Sequence, residues 1–110
     1  AIVENVQAMP SIPGADGQRR SMGAASSFRF GMACGMIRAT VVAYSVPLVM
    51  CHPRSWKNHF GLKGSDKKQD AALCKKLYPS SERFIALQKH HGRADAGLMA
   101  GWYADKQGML

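Results

Sequence analysis

Residues 89–96 read Lys-His-His-Gly-Arg-Ala-Asp-Ala, setting the imidazoles of His90 and His91, the Arg93 guanidinium and the Asp95 carboxylate side by side. The chain then runs on through residues 97–103 as a small-residue, apolar segment with helical spacing. If a helix starts at or before His91, then His91 and Asp95 stand four apart and share a face. If Gly92 is instead the N-cap, Asp95 falls in the first turn, where the helix dipole favours an anion. Either way a hard oxygen ligand projects from a helix start with one or two nitrogen donors beside it. Such a set can form part of a metal site; the competing reading is a solvated helix start.

A second acid stands at the other end of the chain. Residues 1–6 read as a short strand of branched apolar side chains in which Glu4 is the single charge. A buried parallel strand rarely carries a carboxylate, because an unpaired buried charge is costly, and a metal ion would remove that cost. An exposed edge or an arginine partner would remove it as well.

The elements that must position these groups follow in order. Residues 7–23 form a long loop with Pro10, Pro13-Gly14, Asp16-Gly17 and the Arg19-Arg20 pair, which either holds phosphates or is ordinary solvated charge. Over 24–45, Phe30, Ala33, Cys34, Ile37, Val41 and Tyr44 repeat at three and four, predicting a helix with a core stripe. Gly31 and Gly35 would let a neighbouring backbone approach it closely, repaying their poor helix propensity. Residues 47–51 make a second buried strand. Residues 54–60 make a short helix, with Trp56 as a core anchor whose N–H reaches outward. Asp66 and Gln69 predict a capping box. The helix that follows, 67–78, buries Leu73, Cys74 and Leu77 and presents Lys67, Lys68, Lys75 and Lys76 outward, either to a DNA backbone or simply to water. Pro79 stops it, and a further short helix is expected over 82–88. Strand, loop, long helix, strand and further helices make half of a parallel α/β sheet with helices to cover it.

The 110 residues amount to one domain, 46% hydrophobic and too apolar for disorder. The formal charge is +8. It is lopsided: residues 1–50 carry four Arg against Glu4 and Asp16, whereas residues 51–110 carry eleven Lys and Arg against five acids. That asymmetry suggests a polyanionic partner, nucleic acid before anionic membrane. Cys34, Cys51 and Cys74 form neither a disulfide framework nor a zinc pattern, so a reducing, cytoplasmic setting is expected. No uncharged run is long enough to span a bilayer. The chain opens on Ala-Ile-Val-Glu in mid-strand pattern and without Met, from which we expect an upstream segment that completes the sheet.

Residues 3–10, Val-Glu-Asn-Val-Gln-Ala-Met-Pro, resemble the strand and loop of RuvC-type Holliday junction resolvases, especially their bacteriophage-like branch. Further similarities follow in the same order: Ser27-Phe28 with Phe30-Gly31 and Gly35, Pro53 with Trp56-Lys57, Gly61-Leu62 to Lys67, and residues 91–96. The resemblance spans nearly the whole chain and implies a partial ribonuclease-H-like α/β fold, residues 1–110 being the C-terminal two-thirds of one nuclease domain. It implies a divalent-metal endonuclease, using Mg²⁺ or Mn²⁺, that cuts branched DNA as a homodimer. Carried over by position, Glu4 and Asp95 are metal-binding catalytic acids, and His91 is the match for a neighbouring acid or imidazole, ahead of His90. Arg93 belongs to the motif and is expected on phosphate, with Arg19, Arg20, Lys57 and Lys67 as further DNA-binding residues. The family's first catalytic Asp, in an Asp-x-Gly strand, has no equivalent here, so the 110 residues alone are expected to cut nothing. A noncatalytic DNA-binding relative and a nuclease acting on RNA hybrids or flaps are the alternatives. Two Mg²⁺ ions about 3.5–4 Å apart suit phosphodiester hydrolysis, and oxygen donors suit Mg²⁺.

Overall fold

A computed structural model of the chain describes residues 1–6, 12–20 and 22–109. It divides into two compact units. One comprises Ala1 and residues 3–50; the other comprises Ile2 and the chain from Cys51 onward.

In the first unit, strand β1 (Ile2–Glu4) pairs in parallel with β4 (Val49–Cys51), whose Val49 N–H donates to the Ala1 carbonyl at 2.8 Å. The expected loop over 7–23 contains a small antiparallel hairpin, β2 (Ile12–Pro13) with β3 (Arg19–Arg20), Ile12 standing opposite Arg20. Its tip closes on Gly17, at φ +77°, while Asp16 Oδ1 accepts from the Gln18 N–H at 3.1 Å. Residues 7–11 and Ser21, with the Gln7 to Pro10 part of the family-like motif, lie outside the described residues.

Helix α1 (Ala24–Ala43) forms where the periodicity predicts it, but none of its residues is buried. The expected core stripe is open: Ile37 is 52% exposed and Tyr44 78%. Among the described residues, a Cβ at Gly31 or Gly35 would meet no atom within 4 Å, so none of them makes a close backbone approach there. The helix ends in a Schellman pattern, Val46 N–H donating to the Val41 carbonyl and Ser45 N–H to that of Val42, with Ser45 left-handed at φ +54°.

The second unit holds a true core of Cys51, Trp56, Leu62, Cys74, Ile85, Ala94, Leu98 and Met99, against which Ile2, Phe60 and Trp102 pack. Helix α2 (Pro53–His59) starts on a proline at its first position, with His52 Nδ1 accepting from the Arg54 N–H at 3.2 Å. Helix α3 (Lys67–Leu77) opens on the expected capping box, both Asp66–Gln69 bonds being 2.9 Å long. Leu77, expected inside, is 42% exposed at the last position of α3, two residues before Pro79. The helix expected over 82–88 is instead two 3-10 turns, Pro79–Phe84 and Gln88–His90. These lead directly into helix α4 (His91–Lys106).

Helices α3 and α4 pack at the glycines of α4. A Cβ at Gly97 would lie 3.0 Å from Cys74 Sγ, and one at Gly101 would run into the Tyr78 ring. The close approach that glycine permits is therefore made at Gly97 and Gly101, in the second unit. Among the described residues, no helix is long and apolar enough to cross a membrane.

Candidate active site

Because α4 begins at His91, the imidazole of His91 and the carboxylate of Asp95 stand one turn apart on the same face. Gly92 lies inside the helix, which removes the alternative of a Gly92 cap. Asp95 is half-buried, and its Oδ1 is fully enclosed with no hydrogen-bond partner among the described residues. Burial pushes the Asp95 carboxyl above its ordinary range, and the charge of Asp70 pushes it further; Lys57, His91 and Lys67 pull it back. Two carboxylates and three basic groups are thus gathered around the start of α4.

Asp70 is the member that sequence reasoning missed. It is 2% exposed, on the inner face of α3. Ser65 Oγ donates to its Oδ1 at 2.5 Å, and Lys57 Nζ lies 3.4 Å from its Oδ2. The signal was present: Asp70 stands at the head of the 70-73-74-77 stripe, an acid at a position whose successors are apolar.

The remaining expected residues are placed as follows. Lys57, on the last turn of α2, is 31% exposed and packs over the Trp56 ring at 5.2 Å. Trp56 is completely buried, and its indole N–H, expected to reach outward, is enclosed with no partner among the described residues. Lys67 is exposed at the first position of α3 and, with Lys68 and Lys75, lines a groove of about 280 Å³ floored by Ala71, Ile85 and Leu87. Arg93 spends one donor on the Phe84 carbonyl at 3.0 Å, tying α4 to the first 3-10 turn, while the residue stays exposed. His90 accepts from the Leu87 N–H at 3.4 Å, and its pKa is lowered by desolvation and by the Arg93 and Lys89 cations. It is thereby committed to the turn rather than to the Asp95 face.

Glu4 belongs to the first unit, half-buried at the end of β1. Arg19 and Arg20 form β3 there; their side chains lie outside what is described. In the same unit a pocket of about 260 Å³ between Val6 and α1 is lined by Ser27, Phe30 and Arg38, with Arg38 Nε enclosed and without a partner among the described residues.

The enclosed, unpartnered Asp95 Oδ1 is a donor that a hard cation would take, since Mg²⁺ is content with one or two carboxylates and several waters. Among the described residues, no three His, Cys, Asp or Glu side chains converge as a complete cage. Among the described residues, Cys34 and Cys74 form no disulfide. No protein-family model matches the chain. Over 50 residues it is 42% identical to the chloroplastic Holliday junction resolvase MOC1 of Chlamydomonas reinhardtii. That stretch is 44% of this chain and 6% of the relative, so the chain spans a small part of the relative's length and is similar in sequence to a junction-resolving nuclease there.

Proposed function

We propose that the chain is part of a metal-dependent, structure-selective endonuclease that resolves four-way DNA junctions, of the RuvC type and its bacteriophage-like branch. The observation that carries this reading is Asp95: a half-buried carboxylate with an enclosed, unpartnered oxygen, ringed by Lys57, His91 and Lys67. The similarity to a resolvase over 50 residues supports the same substrate class. The fold of the complete domain is then ribonuclease-H-like, with β1 and β4 as two of its strands.

Asp95 would hold Mg²⁺ or Mn²⁺, with His91 as a further ligand or as the group that orients the attacking water, and Glu4 is the second metal-binding acid that the family resemblance implies. When bound, the metal supplies Lewis-acid stabilisation of the phosphoryl oxygens. The chain's own residues do the rest. The Lys67, Lys68 and Lys75 groove carries the phosphate backbone past Asp95, and Arg93, Arg19 and Arg20 add further phosphate contacts. Recognition rests on the shape of the branch rather than on base edges. The exposed stripe of Phe28, Met32 and Met36 on α1, each more than half exposed, suits the interface of a homodimer. A reducing compartment such as the cytoplasm suits a cysteine pattern that makes no disulfide framework.

The lysine-lined groove, which needs no metal to hold a phosphate backbone, also suits one second reading, a noncatalytic DNA-binding relative. Both are tested by offering a synthetic four-way junction, a flap, an RNA–DNA hybrid and linear duplex, with Mg²⁺, to the protein expressed from its complete gene. Junction-selective cutting that disappears in Glu4→Gln and in Asp95→Asn supports the proposal. Binding without cutting supports the noncatalytic relative, and preference for hybrid or flap replaces the substrate.

A further inference from the structure

Asp70 is the one charged side chain fully buried among the described residues. A buried carboxylate is tolerated when it is paired and hydrogen-bonded, and an apolar residue of similar size would serve stability as well or better. Here both oxygens are engaged. Ser65, in the turn before α3, braces Oδ1, and Lys57, from α2, meets Oδ2. The lysine stem is fixed a second time by the Trp56 ring beneath its ammonium. An unrestrained lysine on its four-carbon stem samples many rotamers, whereas this one is anchored at a rigid, buried charge and still reaches solvent.

The arrangement also has a cost. Asp70 lies close enough to Asp95 for the two carboxylates to repel, and Lys57 is close enough to offset that repulsion. A lone structural ion pair has no need of a second acid beside it.

We propose that Asp70 is a positioning residue: its buried carboxylate, braced by Ser65, holds the Lys57 ammonium beside Asp95, where it meets the phosphate that is cut. The second clause rests on the nuclease reading above; the placement of Lys57 does not. Positioning of this kind settles the orientation of a catalytic-site cation before substrate arrives, and small misplacements are felt in turnover rather than in binding.

The test uses Asp70→Asn, which keeps the shape and the Ser65 bond and removes the charge, in the protein from the complete gene. Two readouts are taken. The first is acylation of Lys57 by an amine reagent, followed by mass spectrometry with Lys63 and Lys75 as internal references. Loss of the partner frees the Lys57 ammonium from its 3.4 Å contact, and its labelling rises severalfold relative to the two references. The second is junction cleavage with Mg²⁺, in which kcat falls by about two orders of magnitude while KM changes less than about twofold. A role confined to holding the fold together would lose both kinetic constants together. Lys57→Ala shows the same loss, and the double variant no further loss. Should Asp70→Asn fail to fold, Ser65→Ala, which keeps both charges and removes the brace, moves both readouts in the same direction by a smaller factor. Unchanged Lys57 labelling overturns the positioning role. So does a kcat that does not fall. If the wild-type protein cuts no junction, the nuclease reading fails, and labelling alone decides whether Asp70 positions Lys57.

Discussion

Gly101 of α4 lies against the Tyr78 ring so closely that a Cβ added there would stand 2.7 Å from the ring's Cζ and overlap its hydroxyl. Tyr78 is half-buried, and desolvation, followed by the nearby Asp105 and Cys74 charges, raises its phenol's pKa. Gly101→Ala is therefore expected to force the ring out of its seat. The cost should fall in the overpacking range of about 1–3 kcal/mol. At Gly31, where no atom lies within 4 Å, the same substitution should gain about 1 kcal/mol of helix propensity. Urea unfolding of the two variants makes the comparison. A destabilising Gly31→Ala would show that something covers α1 after all, a second copy of the chain being the first candidate.

Ser45 gives a second, local expectation. It occupies the left-handed position of the α1 Schellman end at φ +54°, where a side chain is disfavoured and glycine is not. Ser45→Gly should stabilise the chain by roughly 1 kcal/mol despite glycine's greater freedom when unfolded. A rise in the urea midpoint with an unchanged slope checks it; a fall would mean that the serine hydroxyl makes a contact worth more than the strain.

Local sequence signals proved legible where a short-range rule governs them. The Asp66–Gln69 box, the stop at Pro79 and the helix carrying His91 and Asp95 each depend on neighbours a few residues away, and each formed. Periodicity, by contrast, identifies an apolar face without saying what covers it. The Phe30 to Tyr44 stripe shares its spacing with core helices, yet it lies open, while the close approach expected at Gly31 and Gly35 occurs at Gly97 and Gly101. Asp70 was overlooked for a related reason. Its burial depends on Ser65 and Lys57, which reach it from a turn and another helix, and only tertiary structure brings those three together.

The groove beside α3 makes a prediction about salt. If Lys67, Lys68 and Lys75 carry phosphates, replacing each by alanine should lower the slope of log affinity against log salt by about 0.9 for a four-way junction. Lys63, exposed in the turn before α3 and not part of that groove, should leave the slope nearly unchanged when replaced. Fluorescence anisotropy in metal-free buffer over a range of salt concentrations measures this. An equal loss at Lys63 would mean that the chain's net charge, rather than this groove, attracts DNA.

Asp95 links pH, stability and metal in one variant. Its folded pKa stands above the ordinary 3.8, chiefly through desolvation and then through Asp70. Between the unfolded and folded values the native protein binds more protons than the unfolded chain, so stability falls as pH rises through that window and stays lowered above it. Asp95→Asn removes the penalty. The variant should therefore unfold at a higher temperature than wild type at pH 7, and the difference should close once the pH drops below about 4, where the wild-type carboxyl is protonated in both states. If Asp95 is also the cation ligand we propose, adding Mg²⁺ raises the wild-type midpoint and leaves that of Asp95→Asn where it was. A variant less stable than wild type at pH 7 would mean that the ionised carboxylate makes a stabilising contact outweighing its burial. Equal Mg²⁺ shifts in both proteins would place the metal elsewhere.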